Sequence, residues 1–207
     1  MEHRDVMMWF ALAGILLAAP SAKADPISYT EQAVLSGELD GTTFTDATVT
    51  FTVTGDTSDI TNPSPGIYKN EPLTGTVTVA GVGSDTFSSL LEVVLESPST
   101  VGIALMSGGI VLTTSKTGAF SGYQLGTSFG PINGGGLFNA DFSYAMAAGT
   151  FMLDETSKED RLGSAPSTFW ADGPARRIPE PATLMLFGAG LSGFVALRRR
   201  RRTDKSI

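Results

Sequence analysis

Reactive side chains are scarce in this chain of 207 residues, and the scarcity narrows its chemistry. Cysteine is absent and the single histidine is His3. That leaves no disulfide, no Cys/His zinc site, no Ser-His or Cys-His nucleophile pair and no histidine base in the body of the chain. Carboxylates, hydroxyls, lysines and tyrosines remain. Asp56 and Asp59, with Asp46 nearby in sequence, offer oxygen ligands to calcium but lack the Asp-x-Asp-x-Asp-Gly spacing of a dedicated loop. Glu92 and Glu96 are a carboxylate pair of the type that hydrolyses glycosides when the carboxyls stand roughly 5 Å apart. On a strand, however, positions i and i+4 are about 13 Å apart. Ser115-Lys116 and Ser157-Lys158 invite a Ser-Lys nucleophile, yet neighbours on a strand point to opposite faces. Aromatic side chains give a sugar-stacking reading, with Tyr29, Tyr68, Tyr123, Tyr144 and Trp170 as candidates. Tyr68, in a Pro/Gly segment, is expected to be the exposed one, whereas Phe51, Phe138 and Phe142 sit in alternating runs that place them in the core.

The elements that would hold these groups are strands. Residues 43–54 alternate with period two: Val49, Phe51 and Val53 face one way and Thr48, Thr50, Thr52 and Thr54 the other, so one face is core and the other wet. Further strands are expected at 27–35, 74–79, 90–95, 101–106, 110–114, 137–144, 150–153 and 168–171. Residues 88–96 stay ambiguous between helix and strand. Residues 55–59, 62–66 and 126–136 carry the Gly, Pro, Asn and Asp chemistry of loops, the last as a long surface loop, and 154–160 reads as a charged hairpin tip or short helical turn. Turns at these intervals are those of an antiparallel β-sandwich.

Charge divides the chain into three. The formal total of −7 hides a body, residues 25–174, in which seventeen acids face four cations, Lys69, Lys116, Lys158 and Arg161, for a charge of −13. Such a surface repels phosphate backbones, which excludes nucleic acid as a partner. Residues 175–207 carry +6 from eight cations and two acids.

Both ends read as targeting segments. Residues 1–24 contain an apolar stretch, then Pro20, then Ala22-Lys23-Ala24, with Ala22 and Ala24 at the positions a signal peptidase reads, so cleavage is expected before Asp25. At the other end Pro179-Glu180-Pro181 makes a stiff extended segment. An apolar run over 182–197 follows, and then Arg198, Arg199, Arg200, Arg201 and Arg202 as a stop-transfer block.

This ending resembles the PEP-CTERM sorting domain of exopolysaccharide-producing Gram-negative bacteria, over roughly residues 177 to 202. The resemblance implies an exosortase as partner, with Pro179, Glu180 and Pro181 as residues that enzyme recognises rather than catalysts of this chain. It implies transient insertion in the inner membrane with a cytoplasmic C-terminus, then passage to the cell surface or matrix, and association with exopolysaccharide or biofilm. The fold class expected is therefore all-β: an antiparallel β-sandwich body (25–174), an N-terminal signal helix (1–24) and a single C-terminal transmembrane helix (182–197) within the tail 175–207. The function expected is a non-enzymatic exported protein without cofactor or bound metal. A carbohydrate- or calcium-binding secreted module and a carboxylate-dependent glycosidase stand as alternatives.

Overall fold

Alternation of threonine with valine and phenylalanine starts the fold, because β-branched and aromatic residues pack well on a pleated surface with one face buried. The computed structural model describes residues 25–140, 142–154 and 162–173. In chain order the strands are β1 (Pro26–Leu39), β2 (Thr42–Asp56), β3 (Ile60–Ser64), β4 (Ile67–Val79), β5 (Gly83–Thr86) and β6 (Leu91–Glu96). They continue with β7 (Thr100–Leu105), β8 (Ile110–Ser115), β9 (Phe129–Asn139), β10 (Ser143–Ala145), β11 (Thr150–Leu153) and β12 (Leu162–Asp172).

All pairings are antiparallel. The sheet runs β1-β12-β9-β8-β7-β6-β4-β2, and β2 pairs back onto β1, so the order closes on itself as a barrel-like sandwich. Closure removes most of the unpaired strand edge that invites association. A second seam joins β10 to the segment after β5, where Phe87 bridges Met146 and the Ser88 N–H donates to the Ala145 carbonyl.

Local chemistry sets the long β1–β2 hairpin. Leu39 pairs with Thr42 across Asp40-Gly41, whose φ values of 50° and 79° are those of a primed turn, the geometry that matches strand twist. Inward residues of all the long strands form one core. Aromatic rings cluster at two places in it: Phe51 and Phe151 meet edge to face at 5.6 Å, and Tyr123 stacks on Phe129 at 4.1 Å beside Phe120 and Phe169.

Several expectations need correction. The described residues contain no α-helix, only the 3-10 turn Thr57–Asp59, and no helix among them is long and apolar enough to cross a membrane. The signal helix and the transmembrane helix were expected on residues 1–24 and 182–197, which lie outside the described residues. The sixteen residues of the second would make a helix of about 24 Å, short of a hydrocarbon core of about 30 Å. The described residues are thus all-β, and the expected signal and transmembrane helices are withdrawn, together with the transient inner-membrane anchoring and its cytoplasmic C-terminus. Residues 126–136 are not a loop, since most of them belong to β9, paired with β12 and touching β8 at Ser115–Gly135. Residues 62–64 lie in β3, and 91–96 resolves to strand.

Candidate functional site

The residues expected to direct sorting, Pro179, Glu180 and Pro181, lie outside the described residues, as do Ala22, Ala24 and Arg198 to Arg202. The carboxylates can be placed. Asp56 ends β2 and Asp46 lies four residues inside its start, ten residues or about 33 Å apart along the strand. Asp56 instead caps the 3-10 turn, its Oδ1 accepting from the Ser58 N–H at 2.7 Å. Among the described residues no group of three His, Cys, Asp or Glu side chains could hold a metal ion. Glu92 and Glu96 do not converge: Glu92 accepts from Lys69 Nζ at 2.7 Å, and the same ammonium stands 4.0 Å from Glu71. The neighbouring Glu92 carboxylate raises the Glu71 pKa, and the two acids together raise that of Lys69. Ser115 shares a hydrogen bond with Thr100 at 3.0 Å, while Ser157-Lys158 lies outside the described residues.

Inside the barrel a polar cluster interrupts the apolar packing. Asn70 Nδ2 donates to the Tyr29 hydroxyl at 2.8 Å, which donates in turn to the Leu125 carbonyl at 2.9 Å. Burial pushes the Tyr29 phenol up to about 12, and raises those of Tyr123 and Tyr144 as well. Two residues on from Tyr29 on the same face, Glu31 is fully buried and neither carboxyl oxygen makes a hydrogen bond. Loss of water holds its carboxyl well above the ordinary range, an effect that the nearby Thr114 hydroxyl and Ile103 backbone only partly offset. Thr114 donates to Ser167 at 2.9 Å, and Ser167 to the Thr113 carbonyl at 3.0 Å. These polar groups are buried within the core.

The accessible site is on the outside. Ser128, Phe129, Gly130, Pro131, Thr168, Trp170, Ala171 and Asp172 line an open cleft of about 700 Å³. Trp170 is half-buried on the outer face of β12, with no ring contact to another aromatic side chain among the described residues. Beside it the Thr168 hydroxyl donates to Asn133 Oδ1 at 2.7 Å, which fixes the amide so that its NH₂ faces elsewhere. The Trp170 ring, the Thr168 hydroxyl and the Asp172 carboxylate, which line one open cleft, can stack on and hydrogen-bond a sugar. The other aromatic candidates are spent: Tyr29, Tyr123 and Tyr144 are core, and Tyr68 is half-buried and accepts from Gln124 at 3.0 Å. Phe51 and Phe138 are buried as expected, but Phe142 is 40 % exposed and rests its edge on Tyr144.

Residues 177–201 match the family model described as the PEP-CTERM protein-sorting motif. The chain carries a PEP-CTERM sorting motif. No curated protein and no solved structure matches the chain. A PEP-CTERM motif marks a chain as the substrate of an exosortase and supports a non-enzymatic, exported or surface protein processed by that enzyme. The rest of the PEP-CTERM chain was harder to read for function. The Lys69–Glu71–Glu92 grouping depends on the pairing of β4 with β6, and the Trp170 cleft on the pairing of β12 with β9; neither register has a local signal in the sequence.

Proposed function

We propose that this is an exported, non-catalytic protein in which Pro179-Glu180-Pro181 is the exosortase recognition site and the body associates with exopolysaccharide. Ala22 and Ala24 direct signal-peptidase cleavage before Asp25, and residues 25–174 are the cargo. The observation that carries the sorting half is the motif match over residues 177–201. The exopolysaccharide half is supported by the cleft at Trp170, an aromatic ring bordered by hydrogen-bonding groups. Replacing Pro179, Glu180 and Pro181 together by alanine in the producing cell tests the sorting half by immunoblot. The variant is expected to accumulate as a longer, unprocessed form, and identical size and distribution of the two proteins would overturn the reading.

A further inference from the structure

The outer face of the sheet carries a second regularity. Trp170 stands opposite Thr30 in the β12–β1 register, Thr30 opposite Thr52, Thr52 opposite Thr76, and Thr76 opposite Thr86. Because directly opposed residues of an antiparallel pair share a face, these five side chains make one row across five strands, about 19 Å long at ~4.8 Å per strand. A parallel row runs Thr168, Gln32, Thr50, Thr78 and Ser84, in which Gln32 Nε2 donates to the Thr50 hydroxyl at 3.0 Å. The third, shorter row is Ser28, Thr54 and Thr74, the last two hydroxyls 3.5 Å apart. Thr74, Thr76 and Thr78 are exposed and Thr50 and Thr52 half-exposed, so the rows are open to a ligand at these positions, while Thr30, between Trp170 and Thr52, is buried at 6 % exposure.

We propose that these hydroxyl rows, anchored at one end by Trp170, are the binding surface for an uncharged polysaccharide chain lying across the strands. The inference rests on the exopolysaccharide association above and gives it a place and a chemical class. Charge selects the class. The body carries seventeen acids, yet only two border the rows among the register positions, Asp172 opposite Ser28 and Asp56 two residues beyond Thr54, both at the same end, and the rows themselves are otherwise uncharged. A neutral polymer meets no repulsion there, whereas a uronate-rich one would meet the acidic surroundings. Each threonine presents a hydroxyl that donates and accepts and a methyl that packs on the C–H face of a sugar ring, and Trp170 adds a stacking plane. Twist selects a chain over a crystal. Neighbouring strands rotate by about 20–25°, so a flat ice or mineral lattice touches few strands, while a flexible chain follows the turn from row to row.

Affinity electrophoresis of the full chain tests this, in native gels containing a dissolved neutral glucan, alginate as an anionic polymer, or neither. Wild type is expected to be retarded by the glucan and not by alginate. Trp170→Ala should weaken the apparent association constant roughly three- to tenfold. The double variant Thr52→Val, Thr76→Val, which keeps side-chain shape and removes two hydroxyls, should weaken it as well, with an unchanged melting midpoint. Retardation by glucan that neither folded variant alters would overturn the site while leaving polysaccharide association standing. Absence of retardation of wild type in both polymer gels would overturn the association itself. Stronger retardation by alginate, or inhibition of ice recrystallisation without glucan binding, would overturn the proposed occupant.

Discussion

Glu31 is the residue at which the fold departs furthest from ordinary burial, because its carboxyl is enclosed without a hydrogen bond. Held protonated well above its ordinary value of 4.5, it makes the folded chain retain a proton that the unfolded chain releases above about that pH. Stability therefore falls as pH rises from there until the folded group itself ionises, by up to about 1.4 kcal/mol per pH unit. Glu31→Gln keeps the shape and removes the titration. It is expected to match wild type in denaturant midpoint near pH 4 and to exceed it at pH 8; a variant less stable than wild type at pH 8 would show that the charge is compensated. Nothing in Tyr29-Thr30-Glu31 announces this. Alternation alone sends Glu31 to the core face, and in the sequence a carboxylate at an inward position reads as a break in the pattern rather than as a member of it.

Among the elements, β2 was the most legible and β9 the least, for opposite reasons. Over residues 48–54 of β2 every second residue is Val or Phe and the intervening ones are Thr, so period, face and wet side are all written in side chains. The same run supplied Thr50 and Thr52 of the outer rows, although their neighbours on β1, β4 and β12 follow from long-range register that no local pattern encodes. Strand β9 hides behind Gly130, Gly134, Gly135 and Gly136, which look like loop chemistry yet allow β9 to approach β8 and β12 closely. A Cβ on Gly136 would meet the Ser167 side chain and the Thr113 carbonyl at 2.8 Å, whereas a Cβ on Gly135 would meet nothing within 4 Å. Gly136→Ala is thus expected to lose about 1–3 kcal/mol in chemical denaturation, and Gly135→Ala to stay within about 0.5 kcal/mol of wild type. Equal effects would contradict the close packing of this seam. Strand β3 is hidden for a related reason, since Ile60, Thr61 and Ser64 pair with β4 while Asn62 and Pro63 fall at an irregularity of the register, where a proline without an N–H is tolerated.

At the scale of the whole molecule two parts carry different information. The C-terminal motif names a processing enzyme from a short run of residues, because recognition by another protein needs local sequence rather than a fold. The barrel-like body holds a buried polar cluster and a hydroxyl-rich outer face bordered by Asp172 and Asp56, and its function depends on which face meets a ligand. The lack of cysteine and of any histidine beyond His3 narrows the chemistry, but the pairing that assembles the Trp170 cleft and the threonine rows appears only once the sheet is closed. The most direct test of the central claim is the intact mass of the protein recovered outside the producing cells. A chain that begins at Asp25 and lacks the residues beyond Pro179-Glu180-Pro181 is the expected result, and a recovered chain that still extends through Arg202 would contradict it.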